Sequence, residues 1–213
     1  MAEGSDITKT VGILLFPDME ELDFVGPLEV LGAFAAYVDK EWQVVTIAQT
    51  AEPVRGAKGL AVVPDYSFES CPPLDVMVVP GGQGTRIEVD NKPLIDFVQR
   101  AGRQASWVTS VCTGAFILSR AGFLKGRRAT THWAAINDLR AEPDVEVVEK
   151  QRFVPDGNVI TAAGVSAGID MALYLVAQLK DVAAARLTQK IIEYYPEPPF
   201  AEEAAVAVGK ETN

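Results

Sequence analysis

Cys112 stands where an apolar run, Trp107-Val108-Thr109-Ser110-Val111, passes directly into Thr113-Gly114-Ala115-Phe116-Ile117-Leu118, which reads as a helix. A residue at so tight a strand-to-helix turn projects its side chain outward, in the manner of a nucleophile elbow. The turn also aims the unpaired N–H groups of the helix's first turn at the sulfur, and those amides favour an anion. On that pattern the thiol is expected to ionise more easily than the ~8.5 of a free cysteine. The competing reading is that Cys112 is a small buried hydrophobe, as most free cysteines are.

A thiolate of this kind has use for an acid beside it. Ionised, a neighbouring carboxyl repels the sulfur anion; protonated, it donates a hydrogen bond and stabilises it, and the pair then shares one proton. Asp23 and Glu29, in Leu22-Asp23-Phe24-Val25-Gly26-Pro27-Leu28-Glu29, are both candidates, and both are equally well explained as caps or dipole partners of a helix start. Gly81 and Gly82 follow a strand. They either form a tight turn or present bare N–H groups to a developing negative charge. His132 is the only histidine, so any Cys–His nucleophile pair would have to use it. Its position at the start of a helix makes it a residue of the site wall or a cap rather than a base. Asp170 reads as a dipole partner near the start of its helix.

The elements that must hold these residues alternate. Apolar runs predict strands over 11–16, 42–47, 75–79 and 107–111, covered on both faces. Short strands are expected over 52–66, 129–131, 145–148, 152–154 and 159–162, with Asp156-Gly157 turning the last hairpin. Helices are expected over 26–37, with Pro27 in its favoured first position, and over 93–101, 113–121, 133–139, 164–179 and 182–195. This order implies a three-layer αβα sandwich around a mainly parallel sheet. Ligands of such sheets bind beyond the carboxyl ends of the strands. Cys112, Gly81-Gly82 and the loop after Phe16 all fall on that edge.

The 213 residues are read as one domain, with a core over about 11–200, a short polar leader and a loosely ordered Ala/Glu-rich tail. A net charge of −10 argues against nucleic acid or an anionic membrane as partner. No apolar run reaches the ~20 residues of a membrane helix, and the acidic start has no signal-peptide core. Two cysteines make no disulfide framework. A cytoplasmic protein is therefore expected. One histidine and no cysteine cluster leave no metal site of the usual ligands, and no cofactor is expected.

The chain resembles the ThiJ/PfpI superfamily, of class I glutamine amidotransferase-like (flavodoxin-like) fold, from about Val11 to Phe200, and within it the isonitrile (isocyanide) hydratase branch. The resemblance rests on Phe16-Pro17, Leu22-Asp23 and Gly26-Pro27, and on Cys71-Pro72-Pro73-Leu74-Asp75-Val76 and Pro80-Gly81-Gly82. It continues through Val108-Thr109-Ser110-Val111-Cys112-Thr113-Gly114, Arg128-Ala129-Thr130-Thr131-His132-Trp133, Ala167-Gly168-Ile169-Asp170, Glu193-Tyr194 and Pro198-Pro199-Phe200. It implies Cys112 as nucleophile, Asp23 as the proton-managing acid and Thr113 as a hydrogen-bonding partner at the elbow. Gly81 and Gly82 would be backbone donors near the sulfur. A small-molecule substrate and a homodimer are implied as well. Thr113 stands where protease-like relatives carry histidine, no histidine follows His132 as amidotransferases require, and barely a dozen residues follow Phe200 where regulators of the AraC type continue. The implied function is a hydro-lyase adding water to an isonitrile through a covalent cysteine thioimidate. Glyoxalase- or deglycase-like action on reactive aldehydes and a non-catalytic cysteine-based stress or redox sensor are the alternatives.

Overall fold

The computed structural model describes residues 8–200; the leader and the tail expected to be loosely ordered lie outside them. Seven strands form the central sheet in the order β10-β11-β7-β6-β1-β2-β5. They are β1 (Lys9–Leu14), β2 (Trp42–Ala48), β5 (Tyr66–Ser67), β6 (Val76–Val79), β7 (Trp107–Val111), β10 (Phe153–Asp156) and β11 (Val159–Ala162). All pairings are parallel except β10 against β11, where the Asp156-Gly157 turn returns the chain on itself. Val76 to Val79 are all buried, as are Val108 to Val111, because helices cover both faces.

On one face lie α1 (Glu21–Ala33) and α6 (Ala167–Leu179), packed on each other, with α7 (Val182–Ile191) against α6. On the other lie α3 (Lys92–Gln104) and α4 (Gly114–Arg120), with the four-residue α2 (Thr85–Glu88) beside α4. A hairpin of β3 (Val54–Arg55) and β4 (Ala61–Val62) stands off the main sheet. The short strands β8 (Arg127–Ala129) and β9 (Val145–Val147) pair with each other, flanking α5 (Ile136–Arg140). No helix among the described residues is long and apolar enough to cross a membrane.

Two local expectations are corrected. Helix α1 starts at Glu21, not at Gly26-Pro27, so Pro27 lies inside it. Glu21 and Asp23 supply negative charge to the first turn, which favours that earlier start. The proline deletes only the N–H that would have met the Asp23 carbonyl. Helix α2 was not expected, because its single turn, Thr-Arg-Ile-Glu, is too short to have a period.

Candidate active site

Strand β7 ends at Val111 and α4 begins at Gly114, leaving two residues to turn the chain. Cys112 takes φ 55°, a left-handed conformation that costs a non-glycine residue about 1–3 kcal/mol. Its surroundings hold it there. The Cys112 N–H donates to Ala163 O at 2.6 Å and to Ala162 O at 3.1 Å, and its carbonyl accepts from Thr131 Oγ1 at 2.8 Å. The turn places Cys112 just beyond the carboxyl end of β7. Cys112 is buried and Cys71 half-buried, and both are free thiols.

Asp23 reaches this point from the first turn of α1. It is fully buried, and its Oδ2 accepts the Gly81 N–H at 2.9 Å. Its Oδ1 has no hydrogen-bond partner among the described residues, although the thiol of Cys112 acts on the same carboxyl. Burial raises the Asp23 pKa to about 7; the Gly81 N–H pulls it down and the charge of Glu20 pushes it up. Burial pushes the Cys112 thiol up to about 12, with the Asp23 charge adding to the rise. The expectation of an easily ionised thiol is corrected on this point. The Thr113 N–H and hydroxyl do favour the anion, as the elbow implies, but burial and the adjacent carboxylate outweigh them. Glu29 is exposed, so of the two carboxyl candidates only Asp23 joins the thiol.

The glycine pair is placed by close approach. A Cβ on Gly81 would lie 2.5 Å from Thr113 N and 2.9 Å from Cys112 Cβ, and Gly82 has φ 127°. Neither N–H is free: Gly81 donates to Asp23, and Gly82 donates to Thr113 Oγ1 at 3.0 Å. In this arrangement the two amides fix the acid and the hydroxyl, while the Thr113 N–H is the backbone donor that acts on the sulfur. Thr85 completes the cluster. Its hydroxyl donates to Gly82 O at 2.6 Å and lies 2.7 Å from Thr113 Oγ1. Sequence reasoning missed Thr85; the only available signal was its place three residues after Gly82, where a hydroxyl commonly returns to the backbone.

His132 follows Thr131, whose hydroxyl holds the Cys112 carbonyl. Its Nδ1 accepts the Ala134 N–H at 3.3 Å, capping a short 3-10 turn (Trp133–Ala135), and its ring lies against Gly164. Asp170 pairs with Arg152 on the outside of α6. Among the described residues, no group of three or more His, Cys, Asp or Glu side chains is placed to hold a metal ion.

A second layer of charge surrounds the carboxyl. The turn of the β3–β4 hairpin folds over the start of α1: Lys58 N donates to Glu21 Oε1 at 2.6 Å, and Ala57 N to Met19 O at 2.9 Å. The Lys58 ammonium pairs with Glu20. The Glu20 N–H in turn donates to Gly81 O at 2.9 Å, opposite the amide that holds Asp23.

Residues 9–178 match the DJ-1/PfpI family, a span that takes in Asp23, the glycine pair and the elbow. The chain belongs to the DJ-1/PfpI family. Among curated relatives, the isonitrile hydratase of Pseudomonas putida is 43% identical over 190 residues, covering 89% of this chain and 80% of its own length. The HTH-type transcriptional regulator CdhR of Pseudomonas aeruginosa is 32% identical over 168 residues, 78% of this chain, which spans about half (49%) of the regulator. A ThiJ/PfpI family protein from Pseudomonas syringae superposes with a TM-score of 0.83 at 36% identity, over 90% of this chain and 77% of that one. The same αβα sandwich occurs in Drosophila melanogaster DJ-1beta, with a TM-score of 0.79 at 21% identity. The relatives thus include both an enzyme and a regulator. The elbow, the acid and the glycine pair here have to be read by their chemistry.

Proposed function

We propose that this DJ-1/PfpI protein hydrates isonitriles, R–N≡C, to N-substituted formamides, with Cys112 as nucleophile and Asp23 as its proton carrier. The observation that carries the reading is a buried carboxyl with a pKa of about 7 set against a thiol in a left-handed elbow. The likeness to an isonitrile hydratase supports it.

Proton transfer from the thiol to the Asp23 carboxylate gives a thiolate beside a neutral acid, with no change in net charge. Sulfur then bonds to the terminal isonitrile carbon while the Asp23 proton moves onto that carbon, giving the thioimidate R–N=CH–S–Cys. The resulting carboxylate takes a proton from water as the water oxygen bonds to the same carbon, and the imine nitrogen receives that proton. The tetrahedral adduct collapses: its hydroxyl proton returns to Asp23, the C–S bond breaks, and the thiolate leaves as R–NH–CHO forms. Thr113, bridging Gly82 and Thr85, orients the elbow during both steps. General acid–base help of this kind is worth about 10²–10⁴ in rate.

The test is formamide production from methyl isonitrile, measured beside lactate production from methylglyoxal. Formamide from the parent protein, absent with Cys112→Ala, is the expected result. Lactate without formamide would move the chemistry to aldehydes and overturn the reading.

A further inference from the structure

Helix α1 begins without a cap: the side chain of Glu20 makes no bond to the free N–H groups of the first turn, and an uncapped helix start is weakly held. That turn carries Asp23, whose carboxyl takes its orientation from the Gly81 N–H. What steadies the turn comes from the β3–β4 hairpin. Glu21, two residues before Asp23, puts its half-buried carboxylate into the hairpin turn, where Oε1 accepts the Lys58 N–H at 2.6 Å. Burial raises the pKa of this carboxyl, but the N–H groups of Lys58, of Glu21 itself and of Leu60 outweigh it and hold the group below its ordinary 4.5. Its Oε2 is buried, with the Lys58 ammonium 4.0 Å away. The fit is close, since a Cβ on Gly56 would lie 2.7 Å from Oε1. The turn is closed by the Gly56 N–H on Leu60 O at 2.8 Å and the Gly59 N–H on Gly56 O at 3.0 Å.

The hairpin reaches the acid by a second route. Asp18 N donates to Arg55 O at 3.0 Å and Ala57 N to Met19 O at 2.9 Å, which ties residues 18 and 19 to the hairpin. Gly84 N donates to Asp18 O at 3.0 Å and Glu20 N to Gly81 O at 2.9 Å, which ties the same segment to the glycine loop. Gly81 in turn donates to Asp23. Resting on the reading of Asp23 as proton carrier, we infer that Glu21 is a positioning residue: it latches the β3–β4 hairpin to the first turn of α1 and so fixes the Asp23 carboxyl against Gly81 and Cys112. Geometry of this kind matters to rate, because displacing a reacting group by about 1 Å can cost about 10²-fold.

The experiment compares Glu21→Ala, which removes the acceptor, with Glu21→Gln, which removes the charge but keeps an oxygen for the Lys58 N–H. Gly56→Ala crowds the same contact from the hairpin side and leaves α1 untouched; it carries the comparison alone if Glu21→Ala does not fold. On methyl isonitrile, Glu21→Ala and Gly56→Ala should lower kcat about tenfold or more with KM within about twofold, and Glu21→Gln should keep most of the parent rate. The Asp23 carboxyl, isotope-labelled, followed by NMR and assigned by its loss in Asp23→Asn, should titrate near 7 in the parent and in Glu21→Gln. In Glu21→Ala and Gly56→Ala it should titrate about one pH unit or more lower, because a carboxyl released from its place regains water. Glu20, Lys58 and the Cys112 thiol also act on this carboxyl, and all three are unchanged in these latch variants. Equal effects of Glu21→Gln and Glu21→Ala would assign the change to charge and overturn the latch, as would a parent-like titration in both alanine variants. A lowered titration in a protein whose parent makes no formamide supports the latch, and then the hydration reading alone fails.

Discussion

The Gly81 N–H donates to Asp23 Oδ2 at 2.9 Å, joining residues 58 positions apart in the chain. This bond holds a fully buried carboxyl in one orientation, and the thiol of Cys112 acts on the same carboxyl. Neither residue is unusual alone. Together they place an acid that titrates near 7 beside a thiol that burial keeps protonated.

Replacing Cys112 with alanine is expected to abolish formamide production while leaving the fold intact, since the side chain lost is small and buried. Cys112→Gly should be equally inactive and no less stable than the alanine variant, because φ 55° suits glycine better. Urea denaturation of the two variants checks the second statement.

Asp23→Asn should fold and lose 10²-fold or more in kcat. It should also change how stability depends on pH. The folded-state pKa of about 7 lies above the ordinary 3.8, so the native state binds this proton more tightly than the unfolded chain. That contribution to stability is fully present below about pH 4 and is lost as pH rises through 7. Between pH 4 and 8, urea midpoints of the parent should therefore fall relative to those of Asp23→Asn.

Activity should climb through about pH 7, as the form with both Asp23 and Cys112 protonated gives way to the form that shares one proton. Glu20 and Lys58 act on that midpoint from opposite sides. Lys58→Met removes a cation and should move it up; Glu20→Gln removes an anion and should move it down. Because the Lys58 side chain is 66% exposed, its effect should shrink as salt is added. A loss of kcat with an unmoved pH profile would mean that the pair only braces the hairpin.

Thr113→Val removes the hydroxyl that meets Gly82 and Thr85. Losing one well-placed hydrogen bond of about 1–1.5 kcal/mol should lower kcat about tenfold. Thr113→Ser should restore most of it, which steric change alone would not explain.

The sheet and the elbow were legible because their signals are local: a buried apolar strand, two turn residues, then a helix. The choice between Asp23 and Glu29 was not, because both sit in the same acidic stretch and only the packing of α1 decides which carboxyl is enclosed. The start of that helix was misread for a related reason. A proline looks like a first residue, and only the tertiary placement of Glu21 and Asp23 moves the true start six residues back. The direction of the thiol pKa failed because amides at a helix start can be read from sequence, whereas desolvation depends on everything packed above the turn. Thr85 belongs to the contact between α2 and α4, which no short motif encodes.

Asp23, Gly81 and Cys112 each follow one of three strands, β1, β6 and β7, that lie side by side in the middle of the sheet. Their meeting point cannot exist until those strands have zipped together in their native alignment. Return of catalysis after dilution from denaturant should therefore coincide with completion of the central sheet and never precede it, which makes turnover a clock for the last cooperative step of folding.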